Sequence, residues 1–297
     1  MLDGSAISIK QRNSSDSRPH LVNVDRDEDT FVREPSIVRR NRKKNSIPHT
    51  DNRIIAVTSG KGGVGKTWFS ITLSHILTLL QRRVLLFDAD LRLANVDVQL
   101  GLTPRHDIAD LLTGGYTMDD VALTYGDGLF DVAAGRSGMG WLTKLSAAEL
   151  DALGHSLVKT AQRYEHVIID TGAGVGRVVR KMTGNAGTVL LLVNAEPTTI
   201  VDTYACLKVI LKGRPASDVR VVVNSADDLR SGLKTYEALR RACEGFLGKC
   251  PPLAGVIRRD PHVAEAIREQ TSIVSIHPKT KAVEDIQVIA RRLLETV

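Results

Sequence analysis

From Arg53 onward, short apolar runs rich in β-branched residues alternate with longer stretches in which apolar residues recur every three or four positions. The short runs are RIIAVTS (53–59), RVLLFDAD (83–90), LFDVAAG (129–135), HVIIDTG (166–172), TVLLLVN (188–194), VRVVVNS (219–225) and LAGVI (253–257). A strand with one wet face alternates apolar and polar residues. These runs do not, so they read as strands covered on both sides, as a parallel sheet requires. The longer stretches predict helices near 65–80, 146–163, 197–211, 229–246, 261–269 and 279–295, and these supply the crossovers. The expected class is α/β, a doubly wound, mostly parallel sheet flanked by helices, in a single domain over 53–297 with no internal repeat or long linker.

Residues 1–52 break this pattern. Residues 1–50 hold ten Lys and Arg against seven Asp and Glu, with an acidic block at 25–29 (DRDED), a basic block at 39–44 (RRNRKK) and few large apolar residues. Such a segment buries too little surface to offset its ordering entropy, and a disordered charged tail is expected. About half of the formal charge of +6 resides there. The basic block reads either as a solvated run or as a docking site for an anionic partner. No stretch is long and apolar enough to span a bilayer, and the start of the chain lacks a signal-peptide pattern, so a cytoplasmic protein is expected. The three cysteines form no CxxC pair and the eight histidines show no HxxxH spacing, so no structural metal or iron–sulfur centre is expected.

The chemistry concentrates where the first strand turns into the first helix. Gly60, Gly65, Lys66 and Thr67 satisfy G-x-x-x-x-G-K-[ST], with a strand before and a helix after. A chain of this length meets the four fixed positions by chance roughly once in a hundred. In such a loop the backbone N–H groups of 62–67 cradle phosphates. Lys66 neutralises the β/γ charge, and the Thr67 hydroxyl ligates magnesium. The expected nucleotide-contacting set is Gly62, Gly63, Val64, Gly65, Lys66, Thr67 and Trp68, with ATP and Mg2+ as cofactors. The motif does not require the additional Lys61 at the loop entrance.

KGGVGKT, Lys61 to Thr67, resembles the deviant Walker A motif of the MinD/ParA family of P-loop ATPases, whose signature is that early lysine. The resemblance runs from Arg53 to the C-terminus. It implies a nucleotide-sandwich homodimer in the ATP state, with Lys61 reaching the phosphates held by the partner protomer. FDADLRLANVD (87–97) resembles the family's first switch, which implies Asp88 on the magnesium side and Asp90 orienting the attacking water. HVIIDTGAGVG (166–176) resembles the second switch, with Asp170 reaching magnesium through water. VNAEPTTIVDTY (193–204) implies a contact of Glu196 with the partner's nucleotide, and Asp202 on a helix that regulators touch. VVVNSADD (221–228) implies that Asn224 reads the adenine edge, and IRRDPHV (257–263) resembles the base-side loop that follows. Catalysis would thus rest on Lys61, Lys66 and Asp90, and the metal on Thr67, Asp88 and Asp170.

Within the family the wording ADLRLANVDVQLGL, IDTGAG and EPTTIVDTYA is most similar to the FlhG (FleN) branch, which controls flagellar number and placement. That branch implies a weakly hydrolysing spatial regulator of flagellar biosynthesis or division. Its partners would be a flagellar GTPase or a transcription regulator or activator, and its platform the inner membrane face, held peripherally. The alternative is a ParA-type partition ATPase binding non-specific DNA. There are three departures from the branch. Trp68 stands where a small polar residue is usual, residues 1–50 carry no clear DQAxxLR sequence, and Val283, Ile286, Ile289, Leu293 and Leu294 give the last helix the face of a core-packed element rather than a lipid anchor.

Overall fold

The structure is a computed structural model that describes residues 50–135, 145–248 and 250–295. The expected tail, 1–52, lies outside these residues except for its end, where Asp51 and Asn52 already belong to the first strand. In chain order the elements are β1 (Asp51–Ser59), α1 (Lys66–Leu79), β2 (Val84–Ala89), α2 (Val96–Leu100), α3 (Ile108–Leu112), α4 (Met118–Val121), β3 (Ala122–Tyr125), β4 (Phe130–Ala133), α5 (Ala147–Ala161) and β5 (His166–Thr171). They continue with α6 (Arg177–Asn185), β6 (Ala186–Val193), α7 (Pro197–Gly213), β7 (Asp218–Ala226), α8 (Leu229–Leu247), β8 (Leu253–Arg258), α9 (His262–Arg268), α10 (Ile273–Ile276) and α11 (Lys281–Leu294).

One eight-stranded sheet runs in the order β3-β4-β2-β5-β1-β6-β7-β8. Every pairing is parallel except that of β3 with β4. All seven expected strands form. The eighth, β3, was not expected. Its sequence ALTY is short and lies at the edge, with Leu123 exposed, so it lacks the uninterrupted apolar signature of the inner strands. The alternation within β1 explains that signature: Ile54 and Ala56 join the core on one face of the sheet, while Ile55 and Val57 join the core on the other. Each face is covered by helices, as continuous apolar strands demand.

The expected long helices form as α1, α5, α7, α8, α9 and α11. The short α2, α3, α4 and α10, with four or five residues each, and the Gly-flanked α6 were not expected. One or two turns leave too few repeats for a period to register. In α11, Val283, Ile286, Ile289 and Leu293 are buried against β8 and α1, and Arg292 donates to the Ala254 carbonyl. Fully burying a side chain of this size stabilises by about 1.5–3 kcal/mol, so this helix face belongs to the core. Among the described residues no helix is long and apolar enough to cross a membrane.

On α1, His75 is 4 % exposed, and its Nδ1 meets the Ser272 hydroxyl at 2.9 Å. Burial lowers its pKa from 6.5 to about 4. Well above pH 6.5 the ring is neutral in folded and unfolded chains alike. As pH falls from 6.5 towards 4, the unfolded chain takes up a proton that the folded one resists, so this site loses stability across that window. Chemical denaturation at successive pH values is therefore expected to show a steeper decline for wild type than for His75→Gln between pH 6.5 and 4. Parallel curves would mean that the imidazole is not a titrating burden on the fold.

Candidate nucleotide-binding site

The parallel strands all end on one side of the sheet, and the ends of β1, β2 and β5 bring the sequence motifs together there. Between β1 and α1 the chain turns through Gly63 and Gly65, with φ of +78° and +89°, values that side-chain-bearing residues rarely adopt. Gly60 is required for another reason. A Cβ there would stand 2.1 Å from the backbone carbon of Asp202, so the loop entrance lies directly against the α7 backbone. Helix α1 starts at Lys66 with no side-chain cap on its first amides. Uncapped amides at the positive end of a helix form a phosphate cradle.

Lys66 is buried at the base of this turn, 8 % exposed. The Thr67 hydroxyl donates to Asp170 at 2.6 Å, and Ser70, one turn further along α1, donates to the other oxygen of that carboxylate at 3.3 Å. Ser70 was missed in the sequence. Its signal was the three-residue step from Thr67, which puts both hydroxyls on one helix face. Asp88 and Asp170 are register partners on β2 and β5, 0 % and 1 % exposed. Burial pushes the Asp170 carboxyl up to about 6, and burial together with the charge of Asp170 holds Asp88 well above the ordinary carboxylate range. Two desolvated carboxylates beside two hydroxyls form an all-oxygen set. That set fits a hard divalent cation, which would relieve the repulsion between them.

Asp88 also organises its own loop. Its oxygens accept N–H bonds from Asp90 at 3.0 Å, Asn95 at 3.0 Å and Val96 at 3.2 Å. Asp90, two residues beyond, lines the cleft, caps the turn by accepting from Arg92 and Leu93, and faces Gly172 of the second switch. The second switch is fastened to β1: Gly174 N–H donates to the Ser59 carbonyl at 2.8 Å, and the Thr171 hydroxyl to the Val57 carbonyl at 3.0 Å. The cleft between these segments has a volume of about 1110 Å³. Its walls include Gly62, Gly63, Gly65, Lys66, Thr67, Trp68 and Asp90, with Arg92, Arg177 and Ile267 as residues not singled out in the sequence. Trp68 is 6 % exposed, and its buried indole Nε1 has no hydrogen-bond partner.

Of the expected residues, Val64, Asp88 and Asp170 are buried behind the cleft wall, and Lys61, Glu196 and Asn224 sit beside it. Lys61 Nζ turns towards the start of α7, donating to Glu196 at 2.8 Å and to Thr198 at 3.0 Å, so the two residues expected to act across a dimer are paired with each other within the chain. That pairing holds Glu196 below the ordinary carboxylate range. Asn224 is 6 % exposed beneath the loop. Its Nδ2 donates to the Val64 carbonyl at 2.8 Å and its Oδ1 accepts the Ser225 N–H, so this amide buttresses the phosphate loop from below. It also occupies the space that a Cβ on Gly65 would need, 2.5 Å away.

Residues 55–273 match the model of the CobQ/CobB/MinD/ParA nucleotide-binding domain. The chain belongs to this family. The MinD/ParA resemblance of the loop and switches is therefore a family relation across most of the chain. Among its relatives is the antiactivator FleN of Pseudomonas aeruginosa, 36 % identical over 241 residues that cover 81 % of this chain and 86 % of that one. The flagellum site-determining protein YlxH of Helicobacter pylori is 28 % identical, covering 82 % of each chain. In fold, the chain is similar to the septum site-determining protein MinD of Pyrococcus horikoshii, a structure with Mg-ADP. The TM-score is 0.68 and the identity 24 %, over 81 % of this chain and 95 % of that one.

Calorimetry with ATP and magnesium tests the site as a whole. Lys66→Ala removes the buried ammonium at the phosphate cradle, and charged hydrogen bonds from such a group to phosphate are worth about 1.5–3 kcal/mol. Affinity is expected to fall by about 10- to 100-fold. Unchanged affinity would mean that nucleotide phosphates do not lie at this loop.

Proposed function

We propose that this protein is an ATP-switched regulator of flagellar number or placement, a dimer with ATP and a slow, magnesium-dependent ATPase. The observation that carries the reading is the similarity to FleN over 81 % of the chain, together with a phosphate loop that has a second lysine, Lys61, at its entrance. The name of YlxH points the same way. Its partners would be proteins of the flagellar assembly or transcription machinery. It would work in the cytoplasm and at the inner membrane face.

Thr67, Asp170 and Asp88 would hold magnesium, directly or through water, and the bound ion would neutralise β/γ-phosphate charge as hydrolysis develops it. Lys66 supplies the fixed positive charge within the protomer. Asp90, held by the turn it caps, presents a carboxylate towards the second switch, from where it orients the water that attacks the γ-phosphate. Asn224 keeps the loop in its phosphate-ready shape. Lys61 exchanges its present partner Glu196 for the phosphates of the facing protomer. An exposed ion pair of this kind is worth little net, so the exchange is easy and depends on the γ-phosphate being there.

Expression in a flagellated bacterium lacking its own FleN-type protein tests the biological reading. Flagellar count by electron microscopy is expected to return towards normal with wild type and not with Lys66→Ala. An unaltered count with abundant, ATP-binding wild-type protein would overturn it.

Two variants test the chemistry. Asp90→Ala is expected to bind ATP and dimerise while releasing phosphate at least tenfold more slowly, since only the water-orienting group is lost; release at the wild-type rate would move that work elsewhere. Lys61→Ala is expected to bind ATP yet sediment as a monomer. A normal ATP-dependent dimer would leave Lys61 as an ordinary loop cation paired with Glu196.

A further inference from the structure

Outside the nucleotide cleft, the described residues assemble one more set of ligating side chains. A ring nitrogen of His262, a carboxylate oxygen of Glu265 and a ring nitrogen of His277 all lie within 4.8 Å of one another. His262 and Glu265 stand three residues apart on α9, hence on one face of the helix. His277 follows α10 directly. The histidine spacing alone gave no sign of this, because the second ring arrives from a different element, fifteen positions along the chain. The imidazole rings lie 4.2 Å apart between centroids.

Two further observations distinguish this cluster from a chance surface grouping. His277 Nε2 approaches Glu265 Oε2 at 3.2 Å, yet it is closed to solvent and makes no hydrogen bond. A buried ring nitrogen that makes no hydrogen bond and has only a carboxylate oxygen beside it is costly as a donor and well suited to a cation as a lone pair. His262 is oriented from behind: Asp260 Oδ1 accepts from its backbone N–H at 3.1 Å and contacts its Nδ1 at 2.8 Å. This carboxylate–imidazole arrangement fixes the tautomer with Nδ1 protonated and leaves Nε2 free to ligate, the usual outer shell of a metal-bound histidine. The side chains are 42 %, 39 % and 27 % exposed for His262, Glu265 and His277, so the cluster lies at the surface and an ion reaches His277 Nε2 once the side chains shift to admit it.

We propose that His262, Glu265 and His277 form a zinc-class metal site, with Asp260 as the positioning residue of His262 and water in the fourth position. Two imidazoles and one carboxylate select zinc and its late first-row neighbours over magnesium, which the all-oxygen set at Asp88 and Asp170 suits instead. Ligand atoms around one zinc with bonds of about 2.0–2.1 Å stand roughly 3.3 Å apart, so closing the site takes side-chain shifts on the order of 1 Å. The ion would tie α9, which carries Ile267 of the nucleotide cleft wall, to the turn leading into α11.

The test uses the full chain, stripped with chelator and held in saturating Mg-ADP so that the nucleotide cleft is filled. Cobalt(II) is titrated as a visible probe, and zinc by calorimetry. One equivalent of cobalt is expected to give the intense visible bands of a four-coordinate ion, displaced by zinc. Zinc affinity is expected to fall at least 100-fold in His277→Ala and in Glu265→Gln, and about 10-fold or more in Asp260→Asn. Far-ultraviolet circular dichroism and thermal melts without metal show that each variant is folded, and Glu265→Gln keeps the test open if a histidine variant is not. Absence of the cobalt bands in the wild-type protein overturns the proposal. So does the same stoichiometry and spectrum in a His262→Ala, His277→Ala double variant. Strong thiolate charge-transfer bands overturn it too, by placing the ion at cysteine instead.

Discussion

Two carboxylates buried side by side, Asp88 on β2 and Asp170 on β5, are the constraint around which the site is arranged. Parallel strands in register carry them to the same end of the sheet, and desolvation then makes their shared negative charge expensive. The protein answers with donors. Three backbone amides of the first switch serve Asp88, and two hydroxyls of α1 serve Asp170. The shape of the switch and the start of the helix are thus tied to one charge pair. Whatever cation settles beside that pair acts on both segments at once.

The sheet was legible because burial on both faces leaves nothing for polar residues to do, and an unbroken apolar run is hard to mistake for a half-wet strand. That advantage vanishes at an edge, where β3 needs only modest apolar content, and in helices of one turn, which carry no period to read. α6 was obscured differently, since its first turn follows the glycines of the second switch and looks like a loop. The boundary of the folded chain was also blurred: Asp51 and Asn52 have the composition of a linker yet pair in β1, and Asp51 gains the Arg53 guanidinium as a partner.

The turn of the loop between β1 and α1 was readable because it depends on neighbours in sequence. What each outlying residue does in the isolated chain was not readable. Lys61 and Glu196 are 135 positions apart, and nothing in either segment announces that they meet. Asn224 matched an amide expected at the base, and its distance from Val64 in sequence concealed that the amide holds the loop's own carbonyl. Long-range polar pairings of this sort are decided by which strands become neighbours, a property of the whole topology rather than of any window.

The close approach at Gly60 has a mechanical meaning. Where two segments touch through side chains, rotamers absorb small displacements, and the contact behaves like a cushion. Here the peptide backbone of the loop entrance rests on the backbone of α7 with no side chain between them. Backbone on backbone has no rotamer to yield, so α7 and the loop entrance share one rigid bearing. A sideways shift of the helix therefore bears directly on the loop, and a shift of the loop bears on the helix in the same way.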